Sequence, residues 1–329
     1  MQSVIKDATQ DHWVYKMPKA WQPFLQLSRL DRPVGYWLLA LPGWIGLAFA
    51  SLSYGLDASD LKWAVLILIG AVAMRGAGCT YNDIVDQDLD AQVNRTALRP
   101  LPAGTITTKQ AWIWLLAQCG VGLIVLLCLP RLAQLISLGS IPLVAAYPFM
   151  KRITWWPQVW LGLTFNWAVL VAYAAKTGAV HAPLFILYAG LIFWTIGYDT
   201  VYACQDIEDD AMVGIKSTAR RFGTRIKPAI YSCYLSTFVL ICLAVAMSRA
   251  TNPTHTEPFG LPSKFAPLVL AVVIPLGLCF IWLNKGLKLE TPTFALKRFK
   301  QNIWGHFTLI LAMYGMTYLQ HTNLYIYFN

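Results

Sequence analysis

Charge is what this sequence has least of. Only 13% of its 329 residues are Asp, Glu, Lys or Arg, against roughly a quarter in an average soluble domain, which excludes an ordinary water-facing globular surface. Acid is scarcer still, with sixteen Asp and Glu in the whole chain. The seven cysteines (Cys79, Cys119, Cys128, Cys204, Cys233, Cys242 and Cys279) show neither metal-ligand spacing nor a paired framework, and they fall in or beside apolar runs. That excludes a disulfide scaffold and reads as buried packing. The stretch ahead of the first run contains Asp7 and Asp11 and no apolar core. It resembles neither a secretory leader nor an Arg-rich, acid-poor transit peptide, so insertion is expected to rely on the first span itself.

Apolar length is what the sequence has in excess. Hydrophobic residues make up 57% of it, and a helix needs roughly 20 of them in succession to cross about 30 Å of hydrocarbon. Nine such runs occur, at residues 35–54, 63–82, 111–130, 132–150, 156–175, 183–204, 228–247, 266–284 and 303–320. The expected fold is all-α: a polytopic membrane protein of about nine transmembrane helices. An interfacial N-terminal segment, 1–34, precedes one domain, 35–329, because the connections are mostly short and no polar linker interrupts the spans.

The net charge of +10 would suit a nucleic-acid binder until the basic residues are placed against the spans. With nine crossings and the N-terminus inside, twenty of the 26 fall on the cytoplasmic side, five fall outside, and Arg75 lies within a span. This is the positive-inside bias, and it puts the C-terminus outside. The basic excess is topology, with no nucleic-acid partner. Trp13, Trp21, Trp37, Trp44, Trp63, Trp155, Trp156 and Trp160 cluster near span ends, as interfacial anchors do. The Pro- and Thr-rich segment Arg249 to Lys264 reads as an outside loop with no assigned role.

Nine of the sixteen acids crowd into two places: Asp83, Asp86, Asp88 and Asp90, then Asp199, Asp206, Glu208, Asp209 and Asp210. Each set follows an even-numbered span on the cytoplasmic side. Asn82, Asp86 and Asp90 recur every four residues, on one face of a helix leaving the second span. Asp199, Asp206 and Asp210 follow helical spacings of seven and four, with Tyr202 beside them, so they too share a face, and the two faces can oppose each other. Asp88 and Glu208 lie off these faces and read as solvated. Carboxylates this dense repel and lose hydration near a membrane unless a cation neutralises them. Hard oxygen donors imply Mg²⁺, which takes one or two carboxylates and completes its shell with phosphate and water. Two such clusters suggest two metals clamping a diphosphate, with Arg95, Arg99, Lys151, Lys216 and Arg220 offsetting its remaining charge. The plainer reading, solvated charges at helix ends, suits any single Asp better than it suits both clusters.

These residues carry a resemblance. Met74-Arg75-Gly76-Ala77-Gly78-Cys79-Thr80-Tyr81-Asn82-Asp83 leads into Asn-Asp-x-x-Asp-x-x-x-Asp, completed by Asp86 and Asp90 and followed by Arg95-Thr96 and Arg99-Pro100-Leu101-Pro102-Ala103-Gly104. The second motif is Tyr198-Asp199-Thr200-x-Tyr202-Ala203-x-x-Asp206-x-x-Asp209-Asp210, then Gly214-Ile215-Lys216-Ser217-Thr218. The chain resembles the UbiA-type prenyltransferase superfamily over nearly its whole length. Ser28-Arg29-Leu30-Asp31-Arg32-Pro33-Val34-Gly35 and Tyr147-Pro148-Phe149-Met150-Lys151-Arg152 also look like its branch acting on 4-hydroxybenzoate in ubiquinone biosynthesis.

The resemblance implies a helical bundle around a central cavity open to lipid for a long prenyl tail. It implies Mg²⁺ held by Asn82, Asp83, Asp86 and Asp90 and by Asp199, Asp206 and Asp210, acting on a polyprenyl diphosphate. The acceptor carboxylate of 4-hydroxybenzoate would need a cation, for which Arg32 and Arg75 are the candidates. Each has a second reading: Arg32 at the lipid headgroups, Arg75 as the partner of a motif carboxylate. Lys151 reads as a phosphate contact or a topology determinant, and Tyr147 and Tyr202 as phosphate donors or packing. A sister acceptor, such as a naphthoate, homogentisate, haem or chlorophyllide, and a transporter with an intramembrane ion path are the alternatives. A bacterial inner membrane is the expected location, with the mitochondrial inner membrane as the alternative for a processed chain.

Overall fold

A computed structural model describes residues 12–92, 96–212, 214–250 and 266–321. Arg95 and most of the Pro- and Thr-rich loop lie outside these residues, as does the side chain of Asp209. The described chain is all-α, with no strand. In order, its helices are α1 (Gln22–Leu27), α2 (Val34–Tyr54), α3 (Ser59–Val85), α4 (Gln87–Asp90), α5 (Thr108–Leu127), α6 (Arg131–Gly139) and α7 (Ile141–Ile153). They continue with α8 (Pro157–Thr177), α9 (Ala182–Ala203), α10 (Ile207–Met212), α11 (Thr218–Phe222), α12 (Ile226–Ala250), α13 (Ala266–Asn284) and α14 (Pro292–His321).

Seven segments among the described residues are long and apolar enough to cross a membrane: α2, α3, α5, α6 with α7, α8, α9, and the stretch Thr218–Ser248. The eighth and ninth expected runs are also helical, as α13 and within α14. Length and composition alone do not carry the count to nine. The fourth expected span is not one helix. Ser140 donates its backbone N–H to Ser137 instead of continuing the ladder, and Pro142 in the first turn of α7 has no N–H to give and clashes with the preceding turn.

Contacts divide the chain into two compact units, one formed by residues up to Ala40 and Leu66–Leu129, the other by Leu41–Val65 and residues from Pro130 onward. In the first unit Leu27, Leu101, Ile106 and Ala111 form a core with Phe24, Ile84 and Trp114 packed on it. Polar groups there are satisfied across helices: Trp114 Nε1 donates to Ser28 Oγ (2.7 Å) and Gln118 Nε2 to Thr80 Oγ1 (3.2 Å). The outer face of α5 exposes Leu116, Leu123, Ile124 and Leu127, an arrangement that water would penalise and hydrocarbon accepts. Its start is closed by a capping box between Thr107 and Gln110, which satisfies helix N–H groups that have no partner in the turn above.

The second unit is built on α8, α9 and α12. Gly46 of α2 lies against α8 so closely that a Cβ there would come within 2.5 Å of the Val169 carbonyl oxygen; only glycine permits that approach. Asn166 of α8 is buried and donates to Leu191 O (3.1 Å) and Thr195 Oγ1 (2.8 Å) on α9, a polar tie that membrane helices use where hydrophobic contrast is missing. Trp194 stacks on His306 with centroids 4.0 Å apart, and Asn302 Oδ1 accepts from both Trp194 Nε1 and Tyr234 Oη at 2.9 Å.

Two expectations change. Trp63 is buried, at 9% exposure, whereas Trp13, Trp21, Trp155 and Trp156 are exposed. All seven cysteines are free, but only Cys79 and Cys233 are buried and Cys128 is exposed, because an apolar run also has a face turned to lipid.

Candidate active site

The first motif lies at the joint of α3 and α4. Asp86 leaves helical geometry (φ −98°, ψ 6°), yet Asp86 N–H bonds Asn82 O at 2.9 Å and Asp90 N–H bonds Asp86 O at 2.8 Å. The one-turn spacing of Asn82, Asp86 and Asp90 therefore survives the joint. Asp83, Asp86 and Asp90 are 1%, 0% and 7% exposed, Asn82 is half-buried, and Asp88 points to solvent, as its place off the shared face leads one to expect.

Three carboxylates this deeply buried are costly without cations. Arg29 Nη2 donates to both oxygens of Asp83, at 2.7 and 2.8 Å, and its Nη1 reaches Gln26 O at 3.1 Å. Arg99 Nη1 lies 2.5 Å from Asp90 Oδ2 and 3.3 Å from Asp83 Oδ1. Thr96 Oγ1 donates to Asp90 O at 2.8 Å. Burial disfavours the Arg29 charge, but Asp83 outweighs it, and the guanidinium pKa is raised above its ordinary value. Arg29 is also the one non-glycine residue with positive φ, 56°, among those described.

Arg75 and Arg32 also belong to the first unit. A Cβ on Gly35 would come within 2.7 Å of Arg75 Nε and 3.2 Å of Nη2, so the missing side chain at Gly35 is the room in which the Arg75 guanidinium lies. Arg32 is paired with Asp31 (Nε to Oδ2 3.7 Å) and its side chain is 18% exposed. Asp31 also accepts from Tyr15 Oη at 3.3 Å.

The second motif belongs to the second unit. Asp199 and Tyr202 lie on α9, but the expected single face does not run on to Asp206. After Ala203 the backbone tightens, with Gln205 N–H on Tyr202 O and Asp206 N–H on Ala203 O. Such 3₁₀-type bonds advance the phase differently from an α-helix, so the seven-residue spacing is not carried by one helix. Asp206 N-terminal to α10 keeps its four-residue relation to Asp210, whose N–H bonds its carbonyl at 2.8 Å. Asp199, Asp206 and Asp210 are half-buried and Glu208 is exposed. Tyr202 packs on Phe299, with ring centroids 4.7 Å apart.

The basic residues around this motif serve its backbone. Arg220 Nη1 donates to the carbonyls of Ile215 and Asp210, and its guanidinium lies over the Trp155 ring. Lys216 N–H bonds Lys151 O (2.9 Å) and its Nζ bonds Ile153 O (3.1 Å), tying the segment after α10 to the end of α7. Lys151 and Tyr147 are half-buried, one turn apart on α7. Ser217 caps α11, Thr218 N–H reaches Gln158 Oε1 and Thr218 Oγ1 lies 2.6 Å from Thr200 Oγ1. These supports, and the pairing of Arg29 with Asp83, escape a reading by motif: the segment 28–35 carries the resemblance, but Arg29 stands 54 residues from its carboxylate.

Among the described residues no three His, Cys, Asp or Glu side chains gather closely enough to hold a metal by themselves, and Asp83 and Asp90 turn oxygens to guanidiniums. The donors present are carboxylate and amide oxygens, which suit Mg²⁺. That ion is commonly held by one or two carboxylates plus substrate phosphates, without an all-protein cage.

The chain is similar to known proteins. A sequence model of the UbiA prenyltransferase family matches residues 39–308. The mitochondrial 4-hydroxybenzoate polyprenyltransferase of Homo sapiens is 44% identical over 248 residues, covering 74% of this chain and 64% of that protein. Its counterpart in Drosophila melanogaster is 38% identical over 292 residues, covering 87% and 69%. This chain thus spans about two thirds of the length of such relatives. A UbiA homolog from Aeropyrum pernix superposes with a TM-score of 0.65 at 22% identity, over 87% of this chain and 98% of that one. One from Archaeoglobus fulgidus, bound to GPP and Mg²⁺, gives 0.62 at 21%, over 90% and 99%. Likeness at that identity speaks for the fold, while the match over residues 39–308 covers both aspartate motifs and most of the spans: this multi-pass membrane chain belongs to the UbiA prenyltransferase family.

Proposed function

We propose that this protein is a 4-hydroxybenzoate polyprenyltransferase, moving a polyprenyl group from its diphosphate to the ring carbon ortho to the acceptor hydroxyl. The observation that carries the reading is the burial of Asp83, Asp86 and Asp90 beside Arg29 and Arg99. It is an anionic, hard-oxygen site out of water, suited to a metal-bound diphosphate. Curated relatives of that name, 38 to 44% identical over most of this chain, support the acceptor. The Archaeoglobus homolog bound to GPP and Mg²⁺ supports the donor class and the ion.

Mg²⁺, when bound, would neutralise the departing diphosphate. Asn82, Asp86 and Asp90 of the first motif and Asp199, Asp206 and Asp210 of the second would supply its oxygen donors. Arg99, Lys151 and Lys216 set positive charge near the phosphates, Arg95 belongs to the same proposal by its motif, and Tyr147 and Tyr202 offer hydroxyls. The allylic C1–O bond breaks with its electron pair going to the diphosphate. The electron-rich ring carbon then bonds C1, and the ring proton leaves to a motif carboxylate or to the diphosphate. Arg75, in the space left by Gly35, holds the acceptor carboxylate, with Arg32 as the other candidate.

Residues 35–329 act in this reading as one prenyltransferase domain, since the family match runs through both units. The N-terminus and both motifs face the cytoplasm or its equivalent, on the strength of the basic bias. The names of the curated relatives favour a mitochondrial membrane over a bacterial inner membrane, and fractionation of the source cells decides between them. The reaction is tested with radiolabelled 4-hydroxybenzoate, a polyprenyl diphosphate and Mg²⁺ in membranes containing the protein. The expected outcome is a lipid-soluble labelled product, lost with EDTA and in Asp86→Ala but kept in Asp88→Asn. Product from a naphthoate or homogentisate, with none from 4-hydroxybenzoate, reassigns the acceptor.

A further inference from the structure

Resting on that reading, we propose that Asp83 is a positioning residue and not a metal ligand: clamped by Arg29, it aims the Arg99 guanidinium and the Asp90 carboxylate at the diphosphate and its cation.

Three segments of the first unit meet at Asp83. Arg29 comes from the connection between α1 and α2, Asp83 from the last turn of α3, and Arg99 from the turn that follows α4. Both Asp83 oxygens are occupied, Oδ2 by Arg29 (2.8 Å) and Oδ1 by Arg29 (2.7 Å) and Arg99 (3.3 Å). A carboxylate oxygen has about two lone-pair directions, so Oδ1 is filled. A divalent ion brought to Asp83 would sit against two guanidinium charges.

The backbone of Arg29 supports a dedicated role. It adopts φ 56°, a region that costs any side chain with a Cβ and that glycine would enter freely. The turn around it is held by Arg29 N–H on Gln26 O, Leu30 N–H on Leu25 O and Arg32 N–H on Arg29 O. An arginine kept where glycine would be easier is being used for its guanidinium. One nitrogen of that group, Nη2, reaches both oxygens of the carboxylate while Nη1 is tied to Gln26 O, so the guanidinium is anchored at two points and holds Asp83 in place. Arg99 then bridges the fixed Asp83 and Asp90 through one nitrogen, so its orientation is inherited from Arg29.

The test compares Asp83→Asn, Asp86→Asn, Arg29→Lys, Arg29→Gln and the double variant Arg29→Gln/Asp83→Asn, each checked for folding by thermal unfolding in detergent. In Mg²⁺ titrations of prenyl transfer, Asp86→Asn is expected to raise the half-saturating Mg²⁺ about tenfold or more, while Asp83→Asn stays within about twofold of wild type and raises the donor KM about tenfold. The double variant is expected to be no worse than the worse single one, because the two residues act as one unit. Arg29→Lys keeps charge but loses the planar group whose second nitrogen is tied to Gln26 O, and should recover only part of the loss. Mn²⁺ binding followed by EPR, which needs no turnover, should be equal in wild type and Asp83→Asn. Wild type that binds Mn²⁺ but transfers no prenyl group sinks the proposed function and leaves this inference standing. An Asp83→Asn protein as impaired as Asp86→Asn in Mn²⁺ binding or Mg²⁺ half-saturation overturns it. If Asp83→Asn fails to fold, the Arg29 variants decide: a shifted Mg²⁺ requirement in Arg29→Gln, without a change in donor KM, overturns it equally.

Discussion

Lys176, in the last turn of α8, lies buried with its Nζ 2.5 Å from Oδ2 of Asp60 in the first turn of α3. The ammonium also donates to Ser51 Oγ (2.7 Å) and Gly55 O (2.8 Å), so its three hydrogens are all used. The side chains are 4% and 13% exposed. Removing one partner strands the other charge out of water. Lys176→Met is therefore expected to destabilise the protein by about 3–5 kcal/mol, the usual cost of breaking a buried pair. Thermal unfolding in detergent measures it. Lys176→Met/Asp60→Leu should recover much of the loss, and a double variant no better than the single one would show that the pair is not the cause.

Gly35→Ala tests the place of Arg75. The added methyl would come within 2.7 Å of Nε, and the guanidinium must move. With Arg75 holding the acceptor carboxylate, the KM for 4-hydroxybenzoate should rise about tenfold, as losing a charged hydrogen bond worth ~1.5–3 kcal/mol would produce, while the KM for the donor stays put. An unchanged acceptor KM in a folded Gly35→Ala protein removes Arg75 from that role.

Asn302→Leu strands two donors at once, the Trp194 indole and the Tyr234 hydroxyl, both hydrogen-bonded to Asn302 Oδ1. Each orphaned buried donor costs about 1–3 kcal/mol. A loss of roughly 2–5 kcal/mol in detergent unfolding is expected, with the bulkier leucine adding to it in so buried a site. Adding Trp194→Phe and Tyr234→Phe should relieve part of it.

Tyr15 gives a pH signature. Burial first, then the Asp31 carboxylate that its hydroxyl touches, push its pKa from the ordinary 10.0 up to about 12. A raised folded pKa favours the protonated form in the native state, so the stabilisation is complete below pH 10 and is lost as pH rises from 10 towards 12. Wild type should lose more stability than Tyr15→Phe across that window. Parallel curves would mean that the hydroxyl is solvated.

The spans were legible because lipid leaves the backbone no partner but itself, so crossing segments must be long and apolar, and α2, α3, α5, α8 and α9 fall where those runs are. The four-residue repeat of Asn82, Asp86 and Asp90 was legible because a helical period is local, and the solvent exposure of Asp88 and Glu208 followed from their phase. The break at Ser140 and the tightened turn after Ala203 were not, since hydropathy is blind to a change of hydrogen-bond partner within an apolar or motif-bearing stretch.

Sequence by itself determined the fold class, the family and the two acidic motifs, all of which depend on composition and on neighbours within a turn or two. Tertiary structure alone decided which charges pair. Asp83 meets Arg29 across 54 residues and Lys176 meets Asp60 across 116. The Arg75 guanidinium is seated by a side chain that Gly35 does not have. Such choices depend on how packed helices bring distant side chains together and on which lone pair faces which donor, and no local period encodes either.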